Sequence, residues 1–296
     1  MGSRRGDSVS DSIADSMELG LYGINFGPCI VPATAAKVSR AAEAAGFDSV
    51  WTGEHVVLPD PQKPPSPVPP ETPMLDPAVA LAFLAGQTRR LKLATGIVIL
   101  PQRNPLVLAK ELGSVDVLSE GRLLFGVGAG YLEAEFSALG APFAERGAVT
   151  DEAIEVVRTL WTQEKPSYHG KWWSFDGIQS NPRPVQRPHP PIIVGGHSPP
   201  AYRRAVRQGN GWYGFALDLD DTRACLEGLK RAAEQEERPP ERGPLEITVT
   251  PAGHLDADLA RRFQDLGVHR IVPIGRGRDA DSQIRFVEET AKAVLG

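Results

Sequence analysis

The sequence predicts an α/β protein built as a single (β/α)8 barrel, a TIM barrel. Three observations predict it. Eight short apolar runs, rich in β-branched residues, alternate with segments of helical period. The length of 296 residues suits one barrel of about 250 residues with additions. A doubly wound sheet, which alternates in the same way, wants Gly-x-Gly-x-x-Gly after its first strand, and "GINFGP" does not supply it.

The elements follow in order. Residues 1–17, "MGSRRGDSVSDSIADSM", are rich in Ser, Asp and Gly and lack the apolar stretch of a secretory signal, so a disordered tail is expected. The barrel domain is expected over 18–296. Strand one is read in "LYGINFG" from Leu21, and the helix after it in "PATAAKVSRAAEAAG", with Val38, Ala41, Ala42 and Ala45 at helical spacing and Gly46 as its stop. "FDSVWTGEH" is strand two, and "LDPAVALAFLAGQT" a helix with Asp76 as cap and Pro77 at its first position. "LKLATGIVI" is strand three. Asn104 and Pro105 then open a helix that runs to about Leu118. "LLFGVGAG" is strand four, and "DEAIEVVRTLW" a helix with Ile154, Val157 and Trp161 on one face.

"YHGKWWSFDG" interrupts the rhythm. His169–Gly170 between aromatic runs predicts a small β-hairpin insertion. Strands five to eight are read in "PPIIVGG", "GWYGFA", "LEITVTP" and "HRIVPIG". Their helices are "PPAYRRAVRQG", "DDTRACLEGLKRAAEQEE", "DADLARRFQDLG" and "SQIRFVEETAKAVL".

Composition narrows the function. Net charge is -5 with both signs mixed, and no basic block points to nucleic acid or anionic lipid. No apolar run approaches the roughly 18 residues of a membrane span. Two distant cysteines, Cys29 and Cys225, make no disulfide framework, which agrees with a cytoplasmic setting. The histidines lack metal-ligand spacing, and no metal is expected.

In a barrel the chemistry gathers at the C-terminal ends of the strands. Strand two ends in Glu54 and His55. An imidazole can move a proton near neutral pH, and Glu54 could orient it or hold charge. Equally, His55 could bond a loop carbonyl while Glu54 meets solvent. Eight prolines between Pro59 and Pro73 forbid helix and sheet, leaving a stiff loop or a wall over a substrate. Gly96 breaks a β-branched run in strand three, where a bare backbone needs a reason. Gly126, Gly128 and Gly130 bare one face of strand four, for tight packing or for a flat ligand. Gly195, Gly196, His197 and Ser198 lead into a helix whose first N–H groups could hold a phosphate, or which is simply capped.

Several stretches together resemble the luciferase-like monooxygenase superfamily, most of all its coenzyme F420-dependent oxidoreductases. They are "WTGEHVVLPD", "TGIVILPQRNPLVLAKELGSVDVLSEGRLLFGVGAGYLEAEF", "ERGAVTDEAIEVVRTLWT", "YHGKWWSFDGIQSNPRPVQRPHPPIIVGG" and "GNGW". The resemblance implies a (β/α)8 barrel and an oxidoreductase that moves a hydride between F420 and a small organic substrate. FMN-dependent monooxygenase chemistry, or a non-catalytic flavin-binding barrel, is the alternative. It implies that His55 is the acid/base group, with Glu54 beside it. It implies a bulge with a cis peptide at Gly96–Ile97 behind the cofactor ring. Gly128, Ala129, Gly130 and Tyr131 would form a cofactor wall, and Gly195, Gly196, His197 and Ser198 the phosphate loop. Tyr131 stands where tryptophan is expected, and Asn210 where aspartate is usual. F420 carries a polyanionic tail, for which Arg203 and Arg204 are candidate partners. Relatives are often dimers, which leaves a homodimer open.

Overall fold

Eight parallel strands close on themselves in a computed structural model that describes residues 17–296. The tail expected over 1–17 lies, apart from Met17, outside the described residues. The barrel strands are β1 (Glu18–Tyr22), β2 (Ser49–Thr52), β3 (Lys92–Thr95), β4 (Leu123–Gly128), β5 (Ile192–Gly195), β6 (Gly211–Leu217), β7 (Glu246–Pro251) and β8 (Arg270–Ile271). Each pairs with the next, and β8 returns to β1 through Glu18 opposite Arg270. A short segment, Val98–Ile99, continues the line of β3 past a break and pairs with the end of β4.

Alternation along the strands makes two cores. Inward residues Trp51, Ala94, Leu124, Ile193, Tyr213 and Val272 fill the barrel, with Tyr22 and Ile97 on their upper side. Outward residues such as Val50, Leu93, Phe125, Val194 and Trp212 pack against the helices. The helices are α1 (Pro32–Ala44), α2 (Pro77–Ala85), α3 (Pro105–Leu118), α4 (Glu133–Leu139), α5 (Arg146–Thr162), α6 (Pro199–Gln208), α7 (Leu219–Gln235), α8 (Ala257–Asp265) and α9 (Ala280–Val294).

Local chemistry sets several boundaries. The Asp76 carboxylate accepts from the Val79 N–H at 3.1 Å and opens α2, and Asn104 accepts from Leu106 and Val107 and opens α3. Gly46 follows α1 at φ +91°, the left-handed conformation that suits a helix stop. Strand one begins at Glu18, before the Leu21 expected, and ends at Tyr22, ahead of the turn at Gly23, after which Phe26 bridges to Met74. The helix read from Asp151 starts a turn earlier, at Arg146.

The hairpin insertion is present as Tyr168–His169 against Ser174–Phe175. Its turn is Gly170–Trp173 rather than His169–Gly170. The Glu152 carboxylate on α5 fixes it by accepting the N–H groups of Lys171, Trp172 and Trp173. Both cysteines are buried and unbridged. Among the described residues no helix is long and apolar enough to cross a membrane.

Candidate active site

The C-terminal ends of the strands form the mouth of the barrel, and the residues named from the sequence collect there. Strand β2 is locked at its end by Asn25, which is fully buried. Its amide accepts from the Gly53 N–H at 2.8 Å and donates to the carbonyls of Gly53 and Leu75 at 2.9 and 2.6 Å. That clamp holds both ends of the proline-rich segment, which is irregular throughout, as its prolines require.

His55 emerges just beyond the clamp, partly buried. Its Nδ1 lies 3.1 Å from Oε2 of Glu135, and its ring meets that of Tyr131 edge-on at 6.1 Å. Oε1 of Glu135 accepts the N–H groups of Val56 at 2.6 Å and Val57 at 3.3 Å. Burial works to raise the Glu135 carboxyl, but the His55 imidazole and the Val56 N–H outweigh it and hold the group below the usual glutamate range. The sequence does not single out Glu135. It sits on α4, whose seven residues carry too little periodicity to be read as a helix.

Glu54 does not orient His55. Its buried carboxylate accepts from the Ile99 N–H and pairs with Arg103, and Arg103 also reaches Asp76 at 2.8 Å. Burial raises the Glu54 carboxyl, with the Arg103 guanidinium and the Ile99 N–H acting against that rise. The carboxylate is therefore committed to fastening the segment after β3 to the end of β2.

The Gly96–Ile97 peptide is cis, as expected. The reason for a bare backbone at Gly96 lies within the chain. A Cβ there would come 2.8 Å from the Thr52 carbonyl oxygen and 3.1 Å from the Trp51 ring. The glycine stripe on β4 also has an internal occupant. A Cβ at Gly126 would lie 1.8 Å from the Thr95 carbonyl oxygen, and one at Gly128 would lie 2.5 Å from Cδ1 of Ile97. Ile97 also lies 3.0 Å from the Cβ position of Gly195. The stripe thus receives the Thr95 carbonyl and the Ile97 side chain, the tight packing that is one of the two readings of Gly126 and Gly128. Ala129, Gly130 and Tyr131 continue to the rim, where Gly130 turns at φ +74° and Tyr131 is half-exposed. Burial pushes up the phenols of both Tyr22 and Tyr131, helped by Tyr131 in the first case and Glu135 in the second, so both stand as neutral donors.

The loop after β5 offers fewer donors than its sequence suggests. Pro199 and Pro200 occupy the first two positions of α6 and carry no N–H. The Gly196 N–H donates to the Tyr213 carbonyl at 3.3 Å, and Nε2 of His197 accepts from the Phe215 N–H at 3.0 Å. The exposed Ser198 hydroxyl makes no capping bond. Arg204 is buried against Asp151 at 2.7 Å and the Gly147 carbonyl, and Arg203 faces Glu236 at 3.7 Å. Both guanidinium groups are thus engaged by carboxylates of the chain, which weighs against their candidacy as tail partners. Asn210 lies at the opposite end of the barrel, where its backbone and side chain tie Ile192 to Glu246.

Comparison with known proteins bears on this arrangement. The family model described as luciferase-like monooxygenase matches residues 13–272. An uncharacterized protein of Mycobacterium tuberculosis (strain ATCC 25618 / H37Rv) is 31% identical over 274 residues, covering 87% of this chain and 93% of its own. The oxygenase component of the flavin-dependent trigonelline monooxygenase of Acinetobacter baylyi is 30% identical over 187 residues, covering 62% of this chain and 49% of its own. The coenzyme F420-dependent tetrahydromethanopterin reductase of Methanopyrus kandleri superposes with a TM-score of 0.75 at 17% identity, covering 95% of this chain and 99% of that one, a likeness of fold alone. The closed parallel barrel, with its mouth built from the ends of β2 to β6, and the family match over most of its length make this chain a member of the luciferase-like monooxygenase family.

Proposed function

We propose that the protein is an F420-dependent oxidoreductase that transfers a hydride between the deazaflavin and a small organic substrate. The observation that carries the reading is His55 at the end of β2, its Nδ1 tied to a buried carboxylate. Among the described residues nothing hydrogen-bonds its Nε2. An imidazole in that state can pass the proton that accompanies hydride transfer. A bound deazaflavin would supply the hydride chemistry that no side chain carries.

The mouth would take a flat aromatic group with a phosphate-bearing tail. Tyr131 and Phe215 present half-exposed rings there, at 50% and 39%. Ile97, backed by Gly128 and Gly195, would support the ring, with Gly96 leaving the room behind it. Ala129 and Gly130 would complete the wall. Ser198, with the backbone of Gly195 and His197, would hold the phosphate, and Gly196, whose N–H is taken by the Tyr213 carbonyl, would shape the turn. The motifs of the chain favour F420, and its similarity to a flavin-dependent monooxygenase favours FMN as the second reading. The protein would work in the cytoplasm on a small-molecule substrate, without nucleic acid or membrane, and as a homodimer.

Parallel titration of the purified protein with F420 and with FMN, followed by visible absorbance or fluorescence, tests the reading. Binding of F420 in preference to FMN is expected. Preference for FMN selects the monooxygenase, and failure of both removes a redox role.

A further inference from the structure

Glu135 holds residues 55–57 by side chain and main chain at once. One oxygen meets Nδ1 of His55 at 3.1 Å, and the other takes the N–H groups of Val56 and Val57. Glu135 is 1% exposed, and its carboxyl is held in the ionised form by those same partners. An ionised carboxylate has only lone pairs to offer. The hydrogen between Oε2 and Nδ1 therefore belongs to the imidazole, whether the ring is neutral or charged. In the neutral ring the second nitrogen, Nε2, must then carry the free lone pair.

We propose that Glu135 is the positioning residue of His55: it fixes the imidazole as the Nδ1–H tautomer, directs the ring, and leaves Nε2 as the nitrogen through which protons pass. The backbone bonds serve the same end. Val56 and Val57 follow His55 directly, so the carboxylate fixes the main chain on one side of the ring while it fixes the ring itself. An outer carboxylate on a working histidine commonly sets tautomer and orientation in this way. Glu54, adjacent in sequence, cannot do so because Ile99 and Arg103 hold it. The catalytic meaning of the tautomer rests on the function proposed above, but the tautomer itself does not.

Long-range proton–nitrogen NMR on the full chain, labelled with 15N-histidine, reads it directly. His55→Asn assigns the signal. At a pH where the ring is neutral, the wild-type protein is expected to show Nδ1 protonated and Nε2 bare. Glu135→Ala is expected to lose that preference, and Glu135→Gln to weaken it, since an amide can donate to Nδ1 as well as accept from it. A purely structural Glu135 would lower the melting temperature of Glu135→Ala and leave the tautomer unchanged, and that result overturns the proposal. So does a wild-type ring with Nε2 protonated. Should Glu135→Ala fail to fold, the wild-type spectrum and Glu135→Gln decide the matter. Failure of both cofactors to bind, with the Nδ1–H tautomer present, removes the proposed function and leaves this inference standing.

Discussion

Ile97 shows what the glycines at the mouth are for. Its side chain fills the places where β-carbons of Gly128 and Gly195 would stand, so the small residues of three strands are one packing arrangement. Sequence can locate such glycines but not their occupant, because the occupant comes from another strand. His55 is the reverse case: its place at a strand end is legible, while its partner is eighty residues away on an unforeseen helix. If His55 carries the proton, His55→Asn keeps a polar group of similar reach that cannot titrate. F420 binding is expected to persist while turnover falls about a hundredfold or more. Single-turnover kinetics beside a binding titration separates the two effects. Turnover near wild type reduces His55 to a loop residue.

Helix starts were the most legible elements, since Asn104–Pro105 and Asp76–Pro77 announce themselves through side chains that satisfy bare N–H groups. Irregular segments were the least legible. The proline-rich loop can be recognised as neither helix nor strand, yet what fastens it is a buried asparagine in the turn after β1. Nothing near Asn25 in sequence announces that role. Carboxylates repeat the device elsewhere: Glu43 accepts the N–H groups of Arg89, Arg90 and Leu91, and Asp116 those of Val185 and Gln186. Removing the Asn25 amide leaves the buried N–H and carbonyl of Gly53 and the part-buried carbonyl of Leu75 unpaired. Asn25→Ala is expected to cost about 2 kcal/mol or more. It should also speed amide hydrogen exchange across residues 53–76 well before the barrel as a whole opens. Exchange unchanged in that span would assign Asn25 to packing and release the loop from its clamp.

The barrel as a whole separates chemistry from stability along its axis. The mouth carries His55 and the loops, while the opposite end is closed by charge. Arg270, fully buried at the start of β8, pairs with Glu18, Glu246 and Asp48, the last at 3.0 Å, and Lys92 adds bonds to Asp48 and Glu18 at 2.9 and 3.0 Å. These residues come from β1, β3, β7, β8 and the turn before β2, so one guanidinium ties together strands on both sides of the closure between β8 and β1. Burial works against the Arg270 cation, but its three carboxylates outweigh burial and hold it charged. The periodicity that reveals eight strands is silent on this plug, whose members are polar residues at strand starts. Breaking it by Arg270→Met leaves three partly exposed acids without their shared cation and is expected to cost about 1–3 kcal/mol in denaturant unfolding. Adding Glu18→Gln and Glu246→Gln to the same variant should recover part of the loss, because Asp48 keeps Lys92 and no other acid in the plug stays unpaired. A triple variant no more stable than Arg270→Met alone would place the cost in the contact of the guanidinium with the Trp51 ring instead of in its ion pairs.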